Sequence, residues 1–258
     1  MVEDHNASPR NDAPAVSVVV PVRNEAGNIG PLVAEIAAAL EKSAPDGGFE
    51  IVCVNDGSTD ATDAELRSAM AARPNLRQIR HRASCGQSAA IRTGVAAARG
   101  AVVVTLDGDG QNDPAFIPAL IAALATGAPR IGLIAGQRQG RKASGFKKLQ
   151  SRIANAVRKT VLKDGTRDTG CGLKAFRRDL FLALPYFDGL HRFLPALVRR
   201  EGFDVGYVAV VDRPRRHGVS NYGFWDRLWI GIFDLAGVWW LVRRRQRVPQ
   251  SEEVTLAH

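Results

Sequence analysis

The sequence predicts an α/β fold, a mostly parallel sheet flanked by helices, with an amphipathic helix near its C-terminal end. Three observations carry that expectation. Short β-branched runs alternate with helix-spaced segments through the first half of the 258 residues, polar clusters follow directly on three of those runs, and all four tryptophans fall between Phe224 and Val242. Strand and helix alternating at this period imply right-handed βαβ units and a sheet covered on both faces. In such sheets ligands bind beyond the carboxyl ends of the strands.

The strands are expected at Val16–Pro21, Phe49–Val54, Leu76–Arg80, Ala101–Leu106 and Ile131–Gly136, each a short apolar run bounded by loop residues. Helical spacing places helices at Ile29–Ser43, Ala61–Ala72, Gly86–Ala98 and Pro114–Thr126. Asn28, Asp60 and Asp113 stand before three of these as capping residues, the last with Pro114 at the first helical position. The second half is less regular: a basic loop at 140–145, a helix at about 146–162, a Gly-rich turn at 168–172, helices near 177–184 and 192–201, and a last strand at Val205–Val211. No internal repeat stands out.

Composition bounds the function. With 45% hydrophobic and 24% charged residues, the chain is that of a folded protein. Its longest uncharged stretch, Pro114–Pro129, holds 16 residues and three prolines, short of the roughly 20 needed to cross a bilayer. Residues 1–14 carry no apolar core and read as a flexible tail rather than a signal peptide. Three widely spaced cysteines argue against a disulfide framework or a zinc site, and with the missing signal place the chain in the cytosol. The net charge of +9 is unevenly placed: residues 1–136 hold 11 basic and 15 acidic side chains, residues 137–258 hold 24 and 11. The basic half calls for an anionic partner, whether nucleic acid, phospholipid or phosphorylated substrate.

Three strand ends carry the chemistry: Pro21-Val22-Arg23-Asn24-Glu25, Asn55-Asp56-Gly57-Ser58-Thr59-Asp60 and Asp107-Gly108-Asp109-Gly110-Gln111. The last offers two carboxylates one residue apart and an amide oxygen, hard ligands suited to Mg²⁺ or Mn²⁺. Asp-Gly-Asp-Gly alone is equally a surface turn. A calcium loop is disfavoured because its twelfth position is Pro118. Coincidence of three polar loops at one sheet edge favours the functional reading, with Asp56 a candidate for a base or ribose contact and Asp60 an N-cap.

The order Val-Val-Pro-x-x-Asn-Glu (19–25), Val-Asn-Asp-Gly-Ser-Thr-Asp (54–60), Gly-Gln-x-x-Ala (86–90) and Asp-Gly-Asp-Gly-Gln (107–111) resembles family 2 glycosyltransferases of GT-A fold. Within that family it resembles the dolichyl and undecaprenyl phosphate sugar synthases, over about residues 16–222. The resemblance implies that Pro21, Val22, Arg23, Glu25, Asp56, Gly86, Asp107 and Gly108 bind the nucleotide and that Asp107, Asp109 and Gln111 hold the metal. Gly136-Gln137-Arg138 and the following Lys147 and Ser151 match phosphate-binding positions of the family, and Thr169 and Gly170 lie in its sugar-pocket turn. Asp109, Arg138 and Lys147 are then the catalytic set. Lys147 stands where relatives often have Arg, and Asn221 where they have Lys, in the strip Arg213–Asn221. Cys53 reads as core, and His191 either contacts the acceptor or starts a helix.

On a helical wheel Trp225, Leu228, Trp229, Ile232, Phe233, Leu235, Ala236, Trp239, Trp240 and Val242 form one half, with Asp226, Arg227 and Asp234 opposite and Arg243-Arg244-Arg245 following. That is the pattern of a helix lying in an anionic membrane interface, or of one docked on the protein's own core or a second subunit. The expected organisation is a tail at 1–14, a catalytic domain at 15–222, the interface helix at 223–247 and a tail at 248–258. The expected activity moves a sugar, with inversion, from a nucleotide sugar (UDP favoured over GDP) to a polyprenyl phosphate. It would act at the cytoplasmic face of the inner membrane, peripherally or monotopically, with a homo-oligomer left open. A saccharide or protein acceptor is the alternative. A nucleic-acid partner is not expected, because no recognition helix or RNA-binding motif is present and the acidic triple would be unexplained.

Overall fold

A computed structural model of the protein describes residues 13–43, 45, 47–128, 130–139, 161–162, 165–166, 168, 170–214 and 224–244, the side chains of 224–230 and 232 excepted. The order is β1 (Val16–Val22), α1 (Ile29–Ser43), β2 (Phe49–Asn55), α2 (Thr62–Ala72), β3 (Leu76–Arg80), α3 (Gln87–Ala97), β4 (Val102–Thr105) and a 3₁₀ turn (Pro114–Phe116). Then come α4 (Ile117–Thr126), β5 (Ile131–Arg138), β6 (Lys174–Arg177), α5 (Arg178–Ala183), α6 (Leu190–Arg200), β7 (Asp204–Val210) and α7 (Phe224–Arg243). The strands form one seven-stranded sheet in the order β3-β2-β1-β4-β6-β5-β7. Every pairing is parallel except those of β6, which runs antiparallel to both β4 and β5.

The unbroken β-branched runs have a plain cause: both faces of the sheet are covered, so no position in β1 or β2 is free to be polar on alternate residues. Val18, Val20, Ile51 and Cys53 pack in one core with α1, α2 and α4 residues such as Ile36, Leu66 and Leu120. Val19, Val52 and Val54 pack in the other with Ile91 and Val95 of α3, Phe181 of α5 and Leu197 of α6. Truncating a fully buried member such as Ile51 costs about 2–5 kcal/mol. Burial pushes the Cys53 thiol up to about 12, as a core cysteine requires.

The sequence assigned no strand to 174–177. Lys-Ala-Phe-Arg is four residues long and charged at both ends, so it has no period-two signature. Its place is fixed by the two strands it separates. α4 is likewise divided: Asp113 accepts the Ala115 N–H at 2.9 Å and caps a 3₁₀ turn before the α-helix starts at Ile117.

The C-terminal helix forms over Phe224–Arg243, but its faces differ from the wheel expectation. Asp234, assigned to the polar side, points at the body of the protein, where its carboxylate receives Arg192 Nη2 at 2.9 Å. On that side Val238 is buried, and Leu235, Leu241 and Val242 pack against the second core. The opposite side exposes Phe233 (73%) and Trp240 (54%). The helix is apolar around most of its circumference, so one stripe docks on α6 while another stays uncovered by the described residues. None of the described helices is long and apolar enough to cross a membrane.

Candidate active site

β1 and β2 run in register with Val22 beside Asn55, so the loops that follow them leave the sheet side by side. Four successive N–H groups of the first loop are received by side chains of the second and of the first turn of α2 behind it. Asn24 donates to Ser58 Oγ (3.0 Å), Glu25 to Thr62 Oγ1 (2.9 Å), Ala26 to Asp60 Oδ2 (3.1 Å) and Gly27 to both oxygens of Glu65 (2.8 and 2.9 Å). Asn24 returns one bond, accepting Thr59 N–H at 2.8 Å. Asp60 is expected as the N-cap, but α2 starts at Thr62 with Ala61 in that position; Asp60, one residue earlier, accepts Thr62 N–H at 3.0 Å and clasps the first loop. Pro21 and Val22 close β1, Arg23 is exposed, and Glu25 accepts Asn28 Nδ2 at 2.7 Å. The cradle is pre-formed by its own hydrogen bonds.

Asp56, buried at the end of β2, is saturated. Oδ1 lies 2.7 Å from His81 Nδ1 and accepts Cys85 N–H (2.8 Å), while Oδ2 accepts Ser84 O–H (2.7 Å) and Gly86 N–H (2.9 Å). Burial works to raise its pKa, but these four bonds outweigh it and hold the carboxyl below the usual carboxylate range. A carboxylate has about four acceptor positions, so a base or ribose reaching Asp56 would displace one of the groups that the 81–86 loop places on it. Asp56, His81 and Cys85 are close enough to share an ion. However, His81 has both ring nitrogens engaged, the second on Thr93 Oγ1 at 3.0 Å, and the cluster has the hydrogen bonds of a loop clasp.

The clasp delivers Gln87, first residue of α3, to the next strand end. Its Nε2 donates to Asp107 Oδ1 at 2.7 Å. Among the described residues Asp107 accepts no other donor, and it lies so close over Gly172 that a Cβ there would sit 2.5 Å from the carboxylate. Burial and then the charge of Asp109 push the Asp107 carboxyl up to about 6, with Lys174, Arg138 and Gln87 pulling the other way. Asp109 is buried and accepts Gln111 N–H at 3.0 Å, and Gly108 lies buried against Val22. The turn is braced from outside: Asn112 Oδ1 accepts Asp107 N–H (3.0 Å), Gln111 O accepts Arg213 N–H (2.8 Å), and Arg213 pairs with Glu35 and Asp113. Two neighbouring carboxylates, Asp107 raised by burial and by the charge of Asp109, followed by the Gln111 amide, are a donor set that fits Mg²⁺ or Mn²⁺, whose charge would reverse the Asp107 shift.

Arg138, at the end of β5, is held in a carboxylate fork. Asp168 receives it in bidentate fashion at 2.5 and 2.7 Å, and Asp212 receives Nη1 at 3.0 Å. Burial opposes its charge, but the two carboxylates outweigh burial and raise its pKa. Beside it Lys174 is buried, with Nζ on the Cys171 carbonyl. Burial pulls its pKa down while Cys171, Asp107 and Asp168 pull up. Gly170 lies against the Arg138 guanidinium.

The structure thus brings Pro21, Val22, Glu25, Asp56, Gly86, Asp107, Gly108, Asp109 and Gln111 to one edge, with Arg138 and Gly170 at its far side. Lys147, Ser151 and Thr169, like His217 and Asn221, lie outside the described residues. Sequence reasoning passed over Gln87, although it sits inside the Gly-Gln-x-x-Ala stretch, gave no role to Lys174 or Asp212, and read Asp168 only as part of the sugar-pocket turn, not as a partner of Arg138. Nothing local marks the last three, since their partners come from other strands.

A layered sheet whose strand-end loops build a pre-formed cradle beside a paired carboxylate defines a glycosyltransferase of GT-A fold. The sequence profile of glycosyl transferase family 2 matches residues 17–184, and the chain belongs to that family. Dodecaprenyl-phosphate galacturonate synthase of Rhizobium johnstonii is 36% identical over 236 residues, which cover 90% of this chain and 68% of that one. Undecaprenyl-phosphate 4-deoxy-4-formamido-L-arabinose transferase of Edwardsiella ictaluri is 34% identical over 210 residues, 81% of this chain and 63% of its own. The chain therefore spans roughly two thirds of the length of these relatives. Among solved structures, glucosyl-3-phosphoglycerate synthase of Mycobacterium tuberculosis, in complex with Mn²⁺, UDP and glucosyl-3-phosphoglycerate, superposes with a TM-score of 0.66. It shares 20% identity, over 89% of this chain and 80% of that one.

Proposed function

We propose that the chain transfers a sugar from a nucleoside diphosphate sugar, UDP favoured over GDP, to the phosphate of a polyprenyl phosphate. The observation that carries the reading is the Asp107–Asp109 pair: a partly buried carboxylate pushed up to about 6, at the strand end next to a pre-formed cradle. Support for the acceptor comes from the relatives, two of which are named for transfer to dodecaprenyl and undecaprenyl phosphate.

Asp107, Asp109 and the Gln111 amide would hold Mg²⁺ or Mn²⁺, which when bound neutralises the departing diphosphate. The 24–27 loop and the 81–86 loop, each fixed by clasping side chains, orient the nucleoside without reorganisation. The acceptor phosphate is already anionic at neutral pH, so its oxygen can attack the anomeric carbon directly. One C–O bond forms as the bond to the diphosphate breaks on the opposite face, and the centre inverts. Arg138, with Lys147, is read as the cation for the phosphates. In that role Arg138 acts from a fork already occupied by Asp168 and Asp212.

Membrane attachment belongs to the same reading. Phe233, Trp239 and Trp240 are exposed on one side of α7, and the Arg243 and Arg244 guanidiniums lie 4.4 and 5.0 Å from the Trp239 and Trp240 ring centroids. Aromatic rings next to arginines suit the headgroup layer of an anionic membrane at its cytoplasmic face, entered peripherally. Flotation with vesicles containing anionic phospholipid is expected to carry the protein, and Phe233→Glu with Trp240→Glu to leave it behind. Incubation with Mn²⁺, undecaprenyl phosphate and labelled UDP-sugars is expected to yield a labelled lipid. Label appearing on saccharide or protein but never on lipid would overturn the acceptor assignment.

A further inference from the structure

His191 is not used by the mechanism above, yet its surroundings define its proton. Its Nδ1 lies 2.7 Å from Ser88 Oγ, on the first turn of α3. Ser88 is buried, and its oxygen also receives the Gly189 N–H at 2.9 Å. A backbone N–H can only donate, so that contact occupies a lone pair. Among the described residues the hydroxyl proton has no acceptor other than Nδ1. Ser88 therefore donates to His191, and the proton of the neutral imidazole sits on Nε2. Burial first, with Lys174 and Arg192 adding to it, pushes the imidazole down to about 3, so the ring is neutral at physiological pH. Nε2–H has no acceptor among the described residues.

The ring is also held in place from two sides. Gly189 has φ +90°, and a Cβ there would meet Asp234 Oδ2 at 2.8 Å, while Arg192 bonds the same oxygen at 2.9 Å, so α7 fixes the turn before α6. From the other side, Ser88 follows Gln87, whose amide holds Asp107. Lys174 acts electrostatically on both Asp107 and His191. In sheet order the nucleoside cradle covers β3, β2 and β1, and Asp107 stands at β4. His191 stands in the first turn of α6, which packs against α3 and against β5 and β7 on the far side of β4. A neutral donor in cationic surroundings suits an anionic oxygen better than a sugar hydroxyl, because Lys174 and Arg192 stabilise the anion while the donor never needs to titrate.

We propose that His191 donates a hydrogen bond through Nε2–H to a phosphate oxygen of the prenyl phosphate acceptor. This rests on the transfer reaction proposed above. The test is steady-state kinetics of the full chain with a short-chain, water-soluble prenyl phosphate and a nucleotide sugar that the wild type uses. His191→Leu is expected to raise KM for the prenyl phosphate about tenfold or more, with KM for the nucleotide sugar unchanged. His191→Gln, whose amide nitrogen falls near the Nε2 position, is expected to restore most of the loss. If the leucine variant does not fold, His191→Asn, which keeps a partner for Ser88 but brings no donor to that position, carries the same comparison. Nitrogen NMR of the wild type is expected to show the Nε2–H tautomer from pH 5.5 to 8. An Nδ1–H tautomer or an imidazolium would overturn the proposal, as would a KM change confined to the nucleotide sugar. Failure of the wild type to glycosylate any prenyl phosphate would overturn the acceptor assignment and the phosphate contact together, while the NMR result would still report the tautomer.

Discussion

Asp56 and Asp107 stand at the ends of β2 and β4, on either side of β1, and the chain treats them in opposite ways. Asp56 is met by four groups of the 81–86 loop and is held below the usual carboxylate range. Asp107 receives Gln87 alone and is pushed up to about 6 by burial and by Asp109. A carboxylate whose acceptor positions are filled holds structure together. One kept costly to ionise, beside a second buried carboxylate, is suited to a cation. On the proposed function, nucleotide positioning and charge neutralisation are divided between these two residues, each following a strand and each followed by glycine.

The largest test of this division is Asp107→Asn, expected to lower transfer about a thousandfold or more while leaving stability unchanged or raised, since a costly buried charge is removed. Thermal denaturation alongside turnover checks both halves. Asp56→Ala is expected to do the reverse: to destabilise by about 3 kcal/mol, as the 81–86 loop loses its anchor, and to raise KM for the nucleotide sugar more than it lowers kcat.

Smaller, and opposite in sign for the two residues, is the response to pH. Asp56, with its folded pKa lowered, contributes stability that is present above the ordinary aspartate value and is lost as pH falls through the folded one. Asp107, raised to about 6, costs stability above that pH, and the cost is relieved as pH falls toward the ordinary value of 3.8. Cation binding must displace the Asp107 proton, so Mn²⁺ affinity is expected to fall about tenfold per unit below pH 6. The melting-temperature rise given by Mn²⁺ should then be larger at pH 7.5 than at 5.5. Smallest is Gln87→Leu: removing the one neutral donor should move the acidic limb of that profile upward by less than about one unit.

Much of this was legible in the sequence because its causes are local. A sheet covered on both faces demands continuous β-branched runs, and those runs marked β1 to β5. Strand-end polar clusters then marked the cradle and the carboxylate pair. What escaped has non-local causes. β6 owes its place to β4 and β5 rather than to its own four residues. The fork that holds Arg138 escaped because no local pattern shows that Asp168 and Asp212, 30 and 74 residues further on, converge on it. The far side of α7 read as polar because Asp234 was assumed to face solvent rather than Arg192. The sequence set Asp107, in the metal triple, apart from Asp56, a candidate base or ribose contact, but not how many donors reach each, because that number is a property of the fold.

The most direct measurement is a titration of Mn²⁺ followed by electron paramagnetic resonance at pH 7.5 on the wild type, Asp107→Asn and Asp56→Asn. The wild type and Asp56→Asn should bind with similar affinity, and Asp107→Asn at least about tenfold more weakly. Retention of binding by Asp107→Asn with loss in Asp56→Asn would contradict this account and put the ion on Asp56, His81 and Cys85 instead.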